Sequence, residues 1–191
     1  MEKNLSALGF MSGTSGDGVD TSVINSNGKD TINVKYNRFD PYPSNLTKKI
    51  HRVKENISEM KDLLKYSLDI EDLEREITYF HADIANHVSK QIDYDLIGFH
   101  GHTIYHNISE KISKQIGLGT YLSKITNKTV VYDFRQNDIK NGGQGAPLSP
   151  IYHLSVIKAL FKENKVKIPI SILNIGGIAN ITEIDKNFNI T

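Results

Sequence analysis

Apolar and polar residues alternate in three short stretches at the start of the chain, which predicts strands before any helix. Ser6–Met11 is a compact apolar run, Val19, Thr21 and Val23 alternate with polar neighbours, and Ile32, Val34 and Tyr36 do the same. Between the first two lies the glycine-rich Ser12–Gly18. Between the second and third lies Asn25–Asp30, a segment of turn-forming residues. The opening therefore reads as a three-stranded meander. Pro41 and Pro43 interrupt it, and Ser44 is placed to cap a helix over 45–56. The pattern then changes period. Ile70, Leu73, Ile77, Phe80, Ile84, Val88 and Ile92 recur every three or four residues, which predicts a long amphipathic helix with Asp69 as its N-cap. A buried strand over Asp95–Phe99, a helix over Thr120–Thr126 and a strand over Thr129–Phe134 follow. Next come a glycine-rich loop over Asn141–Gly145, a helix from Ser149 to about Glu163, and a strand–turn–strand unit over Ile170–Ile184. Strands alternating with helices after an antiparallel start define an α/β layered domain.

Composition narrows the chemistry. The chain has 191 residues, 38% of them hydrophobic and 24% charged, values that suit a globular protein. The formal net charge is +1, from 23 basic and 22 acidic residues, so nothing argues for nucleic acid or an anionic membrane as partner. There is no cysteine, which excludes a disulfide framework, a thiolate zinc site and a cysteine nucleophile. No apolar run reaches the roughly 18 residues of a membrane span, and the first residues lack the layout of a secretory signal, so a cytoplasmic location is expected.

Five segments carry candidate chemistry. Gly13, Thr14, Ser15, Gly16, Asp17 and Gly18 form a loop whose glycines let backbone N–H groups turn toward an anion and whose hydroxyls add donors. Asp17 is a candidate to hold a phosphate-bound Mg²⁺ through water. A plain hairpin turn of good turn formers would read the same. His100-Gly101-His102-Thr103 ends a strand, and two histidines one residue apart on an extended chain share a face, as metal ligands do. Backbone-bonded imidazoles at a polar strand end are the alternative. Arg135, one of four arginines, follows another strand, where its planar fork suits a carboxylate or sugar oxygens; an Asp–Arg pair that pins the loop is the competing reading. Asn141-Gly142-Gly143-Gln144-Gly145 implies a close backbone approach ahead of a helix. Gly176 and Gly177 turn the last apolar hairpin and echo the first loop.

In combination these segments resemble one family. Gly9-Phe10-Met11-Ser12-Gly13-Thr14-Ser15-Gly16-Asp17-Gly18-Val19-Asp20 resembles the phosphate loop of the anhydro-N-acetylmuramic acid kinases. His100–Thr103, Asp133-Phe134-Arg135, Gly142–Leu148 and Leu173–Asn180 resemble that family's other blocks, in the same order. The resemblance implies an actin-like, ribonuclease H-like ATPase domain over residues 1–168, with residues 169–191 as the first hairpin of a second domain. It implies ATP and Mg²⁺ as cofactors and anhydro-N-acetylmuramic acid as substrate, opened by water and phosphorylated on O6. Gly13 to Asp20, with Gly176 and Gly177, would face ATP; His100, Thr103, Arg135 and Asp138 would line the sugar side. The family's catalytic aspartate falls in a block beyond Thr191, so no catalytic residue is expected within this chain. Asp185, the nearest carboxylate, is expected in a solvent-facing turn. Departures from the family pattern include Gly16 for a usual leucine, His102 for a usual glutamine, and Leu118-Gly119 for a usual Asp-Pro. The chain is thus expected to be an N-terminal part, inactive alone, with a homodimer mate or a separately encoded C-terminal half as partner. A catalytically dead binding module of the same fold, and a metal hydrolase built on His100 and His102, are the alternatives.

Overall fold

The computed structural model describes residues 3–175 and 179–191. Strands β1 (Leu5–Met11), β2 (Gly18–Ser26) and β3 (Ile32–Pro41) form the expected meander. Helices α1 (Ser44–Glu55), α2 (Met60–Lys65) and α3 (Ser67–Ser89) follow, then β4 (Leu96–Phe99) and a hairpin of β5 (His102–Asn107) and β6 (Ile112–Ile116). Helix α4 (Gly119–Thr126), β7 (Thr129–Tyr132), α5 (Phe134–Lys140) and α6 (Pro150–Lys162) lead to the hairpin of β8 (Ile170–Asn174) and β9 (Asn180–Ile184).

The central sheet runs β3-β2-β1-β4-β7, antiparallel across the first three strands and parallel from β1 through β4 to β7. Parallel pairing fixes the geometry of the edge. Phe10, Phe99 and Tyr132 stand abreast in register, so the chain leaves β1, β4 and β7 on the same side. The loops that follow these three strands are the segments singled out in the sequence, and loops at that edge are where open α/β sheets place ligands.

Helices α1 and α3 build the core because their apolar stripes meet the sheet. Leu46, Ile50 and Val53 of α1, and Ile70, Leu73 and Ile77 of α3, are buried with Leu8, Phe10, Val19, Val23, Ile97 and Phe99. The fully buried His81 sits edge-on between Phe10 and Phe99, with ring centroids 5.1 and 5.0 Å away. The β8–β9 hairpin is different. Leu173, Ile175 and Ile181 are all more than half exposed, while His153 of α6 holds the hairpin through Thr182 (2.9 Å). Among the described residues no helix is long and apolar enough to cross a membrane.

Several local expectations change. Asp69 lies inside the first turn of α3, which begins at Ser67 behind Tyr66. Pro43, not Ser44, occupies the N-cap of α1, and no side-chain cap forms there. The strand expected to run to Phe134 stops at Tyr132. Asp133 adopts a left-handed conformation (φ +62°) that turns the chain, and Phe134 opens α5. His100 and His102 do not share a face, because Gly101 between them has φ +69° and breaks the extended run. A Cβ at Gly101 would also stand 2.4 Å from the Ile116 carbonyl oxygen, so only glycine fits this crossing of the β4–β5 link over β6.

Candidate functional site

The loop after β1 is tied down from below and left open above. Tyr42 donates from its hydroxyl to Ser12 Oγ at 3.1 Å, and Ser12 Oγ lies 2.9 Å from His102 Nδ1. With Tyr42 supplying one proton, the serine's own proton is directed at Nδ1, which leaves His102 as the Nε2–H tautomer. That Nε2 is buried and has no partner among the described residues. Burial is the main reason that His102 is held neutral, its pKa lowered to about 4; the nearby Lys54 adds to the effect. Lys54 also donates to the Thr14 carbonyl at 2.8 Å, and Tyr42 N–H donates to the Asp17 carbonyl at 2.9 Å. Gly16 is buried at φ +63°, where a Cβ would press on Ile50 at 3.2 Å, so a tight left-handed turn needs glycine here.

These contacts engage the loop's carbonyls and leave its amides. Gly16 N–H donates to the Gly13 carbonyl at 3.1 Å. Among the described residues, the amides of Thr14, Ser15 and Asp17 have no hydrogen-bond partner. Ser15 Oγ donates to Asp17 Oδ1 at 2.8 Å, with both side chains exposed. Val19 and Asp20 already belong to β2; Val19 is fully buried, whereas Asp20 is exposed. Gly18 also begins β2, packed beneath Asp40 and Phe39. Unpartnered amides in a glycine turn form a concavity that attracts anions.

The other predicted residues gather a short distance along the same edge, and they bond to one another. Arg135 donates from Nε to His100 Nε2 and from Nη1 to the Gly145 carbonyl, both at 2.8 Å. Since His100 Nε2 accepts, its Nδ1–H is the group that donates to the Gly101 carbonyl at 2.9 Å. Burial lowers the His100 pKa. Asp138 Oδ2 accepts from Gly145 N–H at 2.8 Å. Thr103 Oγ1 receives Gln115 Nε2 at 3.3 Å. Arg135 thus pins the glycine-rich loop, although through a carbonyl and an imidazole and not through a carboxylate. Gly176 and Gly177 lie outside the described residues.

A cavity of about 860 Å³ opens beside His100. It is framed by Phe99 and Tyr132 at the ends of β4 and β7, by Tyr79 of α3 and by Tyr121 of α4. Asp133, Gln115 and Lys124 also reach it, and none of the three was expected as a site residue. Asp133 had a signal, its place in the Asp133-Phe134-Arg135 segment, but the strand was expected to continue past it to Phe134. Among the described residues, no group of three or more His, Asp or Glu is placed to hold a metal ion.

A glycine turn with unpartnered amides and a walled cavity on the carboxyl edge of a mixed sheet are consistent with a sugar-kinase-like α/β domain. The comparison with known families makes this specific: the chain belongs to the anhydro-N-acetylmuramic acid kinase family, whose model matches residues 5–190. Similar proteins carrying that name occur in Pelagibacter ubique, 49% identical over 190 residues, and in Bradyrhizobium diazoefficiens, 36% identical over 194 residues. A third, from Agrobacterium fabrum, is 35% identical over 185 residues. These alignments cover 98%, 96% and 94% of this chain but 50%, 50% and 49% of the relatives. The chain spans about half the length of the curated relatives it matches.

Proposed function

We propose that this chain supplies the phosphate-binding and sugar-facing part of an ATP-dependent kinase that opens 1,6-anhydro-N-acetylmuramic acid and phosphorylates it on O6. The observation that carries the reading is the loop after β1, where Thr14, Ser15 and Asp17 hold unpartnered amides at the edge shared by β1, β4 and β7. Membership of a kinase family supports the phosphates of ATP as the partner of those amides. The order β3-β2-β1-β4-β7, with β2 antiparallel to both neighbours, supports an actin-like domain over residues 1–168. The exposed Leu173 and Ile181 support residues 169–191 as the first hairpin of a second domain that closes over the nucleotide.

In this reading water adds at the anomeric carbon and gives up a proton, the C1–O6 anhydro bond breaks, and O6 takes the γ-phosphoryl group as its bond to the β–γ bridging oxygen breaks and ADP leaves. Mg²⁺, when bound, neutralises charge on the β- and γ-phosphates. The residues present fit a water-mediated metal contact and not a direct cage: Asp17 is one exposed carboxylate, with Ser15 fixing one of its oxygens. The loop amides hold the phosphates by charge-assisted hydrogen bonds. His102 and Tyr42 keep Ser12 in place, so the loop pays little ordering entropy on binding.

Calorimetric titration of the chain with a non-hydrolysable ATP analogue tests this. Binding is expected to strengthen when Mg²⁺ is added, and Asp17→Asn should remove most of that gain, about 10-fold for a charge-assisted contact. Binding that ignores both Mg²⁺ and Asp17 would overturn the role of this loop.

A further inference from the structure

The turn after β1 carries a charge that opposes its own amides. Asp17 is the one ionisable side chain between Ser12 and Gly18, and it has the same sign as the anion that the Thr14, Ser15 and Asp17 amides attract. A compensating charge comes from α1. Lys54, in the last turn of that helix, donates from Nζ to the Thr14 carbonyl at 2.8 Å and has no ion pair among the described residues. Two other cations of α1 are directed elsewhere, Arg52 to Asp69 at 3.5 Å and Lys49 to Glu76. A lysine at a helix C-terminus ordinarily has the helix's own last carbonyls as partners. Lys54 leaves them for the turn. Its charge is also felt beneath the turn, where, after burial, it is the next cause that holds His102 neutral.

Helix α1 comes this close because Gly16 has no side chain. A Cβ on Gly16 would stand 3.2 Å from Ile50 and 3.6 Å from His51 Nε2, and both residues lie on α1 one turn before Lys54. The contact then fixes a direction as well as a charge. A trans peptide points its carbonyl and its N–H to opposite sides. With the Thr14 carbonyl held by Lys54, the N–H of the same peptide, that of Ser15, faces away from the helix. The Thr14 N–H is set separately, by the Gly13 carbonyl that accepts from Gly16 N–H at 3.1 Å. Of the three open amides, Ser15 is therefore the one that α1 governs.

Resting on the nucleotide reading above, we propose that Lys54 is a positioning residue of the phosphate site: it holds the Thr14–Ser15 peptide with the Ser15 N–H turned from the helix, and its ammonium offsets Asp17 so that a polyphosphate can approach. The part of the site that attracts the anion thus extends from the turn onto the last turn of α1.

The test compares the chain with Lys54→Met and Lys54→Arg, using inorganic triphosphate as probe in calorimetry and in ¹H–¹⁵N titration. Lys54→Met should weaken triphosphate by about 10-fold, the scale of a charge-assisted contact. Lys54→Arg should recover the affinity to within about 3-fold, because a single carbonyl contact needs a donor and a charge and not a particular shape. The spectrum gives the sharper readout. In Lys54→Met without anion the Ser15 amide should move, and its response to triphosphate should fall most, while Thr14 keeps its response. Unchanged spectral dispersion verifies the fold of each variant. Affinity and a Ser15 response that survive Lys54→Met would overturn the role of Lys54 alone. A loss that Lys54→Arg does not recover, spread evenly over the loop, would reduce Lys54 to a structural prop and overturn the proposal as well. Failure of triphosphate to move Thr14, Ser15 and Asp17 in the unmodified chain would remove the nucleotide reading, and the positioning role with it.

Discussion

The β1–β2 loop and the Arg135 cluster lie on the same edge of the same sheet, yet their hydrogen bonds run in opposite directions. In the loop the carbonyls of Gly13, Thr14 and Asp17 are engaged and the amides of Thr14, Ser15 and Asp17 are not. In the cluster, Arg135, His100 and Asp138 are largely taken up by one another and by Gly145. The first region has bonding capacity left for a ligand, and the second uses its capacity to hold shape. Residue type alone would have ranked them the other way, since an arginine beside a histidine and an aspartate looks more like a binding site than a turn of glycines and serines.

The strongest way to break the comparison is to collapse the frame that keeps both regions on one edge. Gly101→Ala forces a Cβ within 2.4 Å of the Ile116 carbonyl at a left-handed φ, so the chain should lose about 4 kcal/mol of stability in urea unfolding, the range of severe backbone strain plus overpacking. A loss below about 1 kcal/mol would mean that the β4–β5 link adjusts freely.

Acid should act next. His81 and His102 are both buried, with pKa values lowered to about 4 chiefly by desolvation. In the unfolded chain both return toward 6.5. Their contribution is therefore complete above pH 6.5 and lost as the pH falls toward 4, because the unfolded chain takes up protons that the folded chain refuses. The whole loss amounts to roughly 3 kcal/mol for each histidine, with a slope of at most about 1.4 kcal/mol per pH unit. Stability measured from pH 7 to pH 4 should fall, and His102→Asn, which keeps an acceptor near the Nδ1 position, should flatten the curve. A profile unchanged by that substitution would place the titration elsewhere.

Arg135→Lys separates holding from binding. It removes the fork that joins His100 to Gly145, so thermal unfolding should show a loss of about 1–2 kcal/mol, while affinity for the ATP analogue stays the same. Weakened nucleotide binding with normal stability would reverse the roles assigned to the two regions. Ser12→Ala should have the smallest effect, about 1 kcal/mol, and it should appear as weaker nucleotide binding, since Ser12 links the loop to Tyr42 and His102.

The sequence made the meander and the long helix legible because their periods are clean: alternation in Val19, Thr21 and Val23, and three-four spacing from Ile70 to Val88. It concealed α5, since Phe134–Lys140 buries only Ile139 and so has no apolar stripe to detect. It concealed the β5–β6 hairpin as well, where the register shifts between Thr103 and Tyr105 and disrupts the alternation. That the segments after β1, β4 and β7 would gather at one edge was legible; which of their side chains are engaged with one another was not. Whether Arg135 faces a ligand or a carbonyl depends on where Gly145 folds back, and that is a tertiary contact with no local signature. Lys124 escaped notice for the same reason, and Asp133 drew notice only as part of the Asp133-Phe134-Arg135 segment. A lysine on a short helix and an aspartate at a strand end gain meaning only when one cavity brings them together.

The unpartnered amides of the β1–β2 loop carry the proposed function, and amide resonances report on them directly. A ¹H–¹⁵N titration with the magnesium-bound ATP analogue should move Thr14, Ser15 and Asp17 most, with Gly16 moving less because its amide already serves Gly13. Arg135 Nε–H, held by His100, should stay in place. Saturating nucleotide that shifts the Arg135 cluster and leaves Thr14, Ser15 and Asp17 unmoved would contradict the assignment of the phosphate-binding loop.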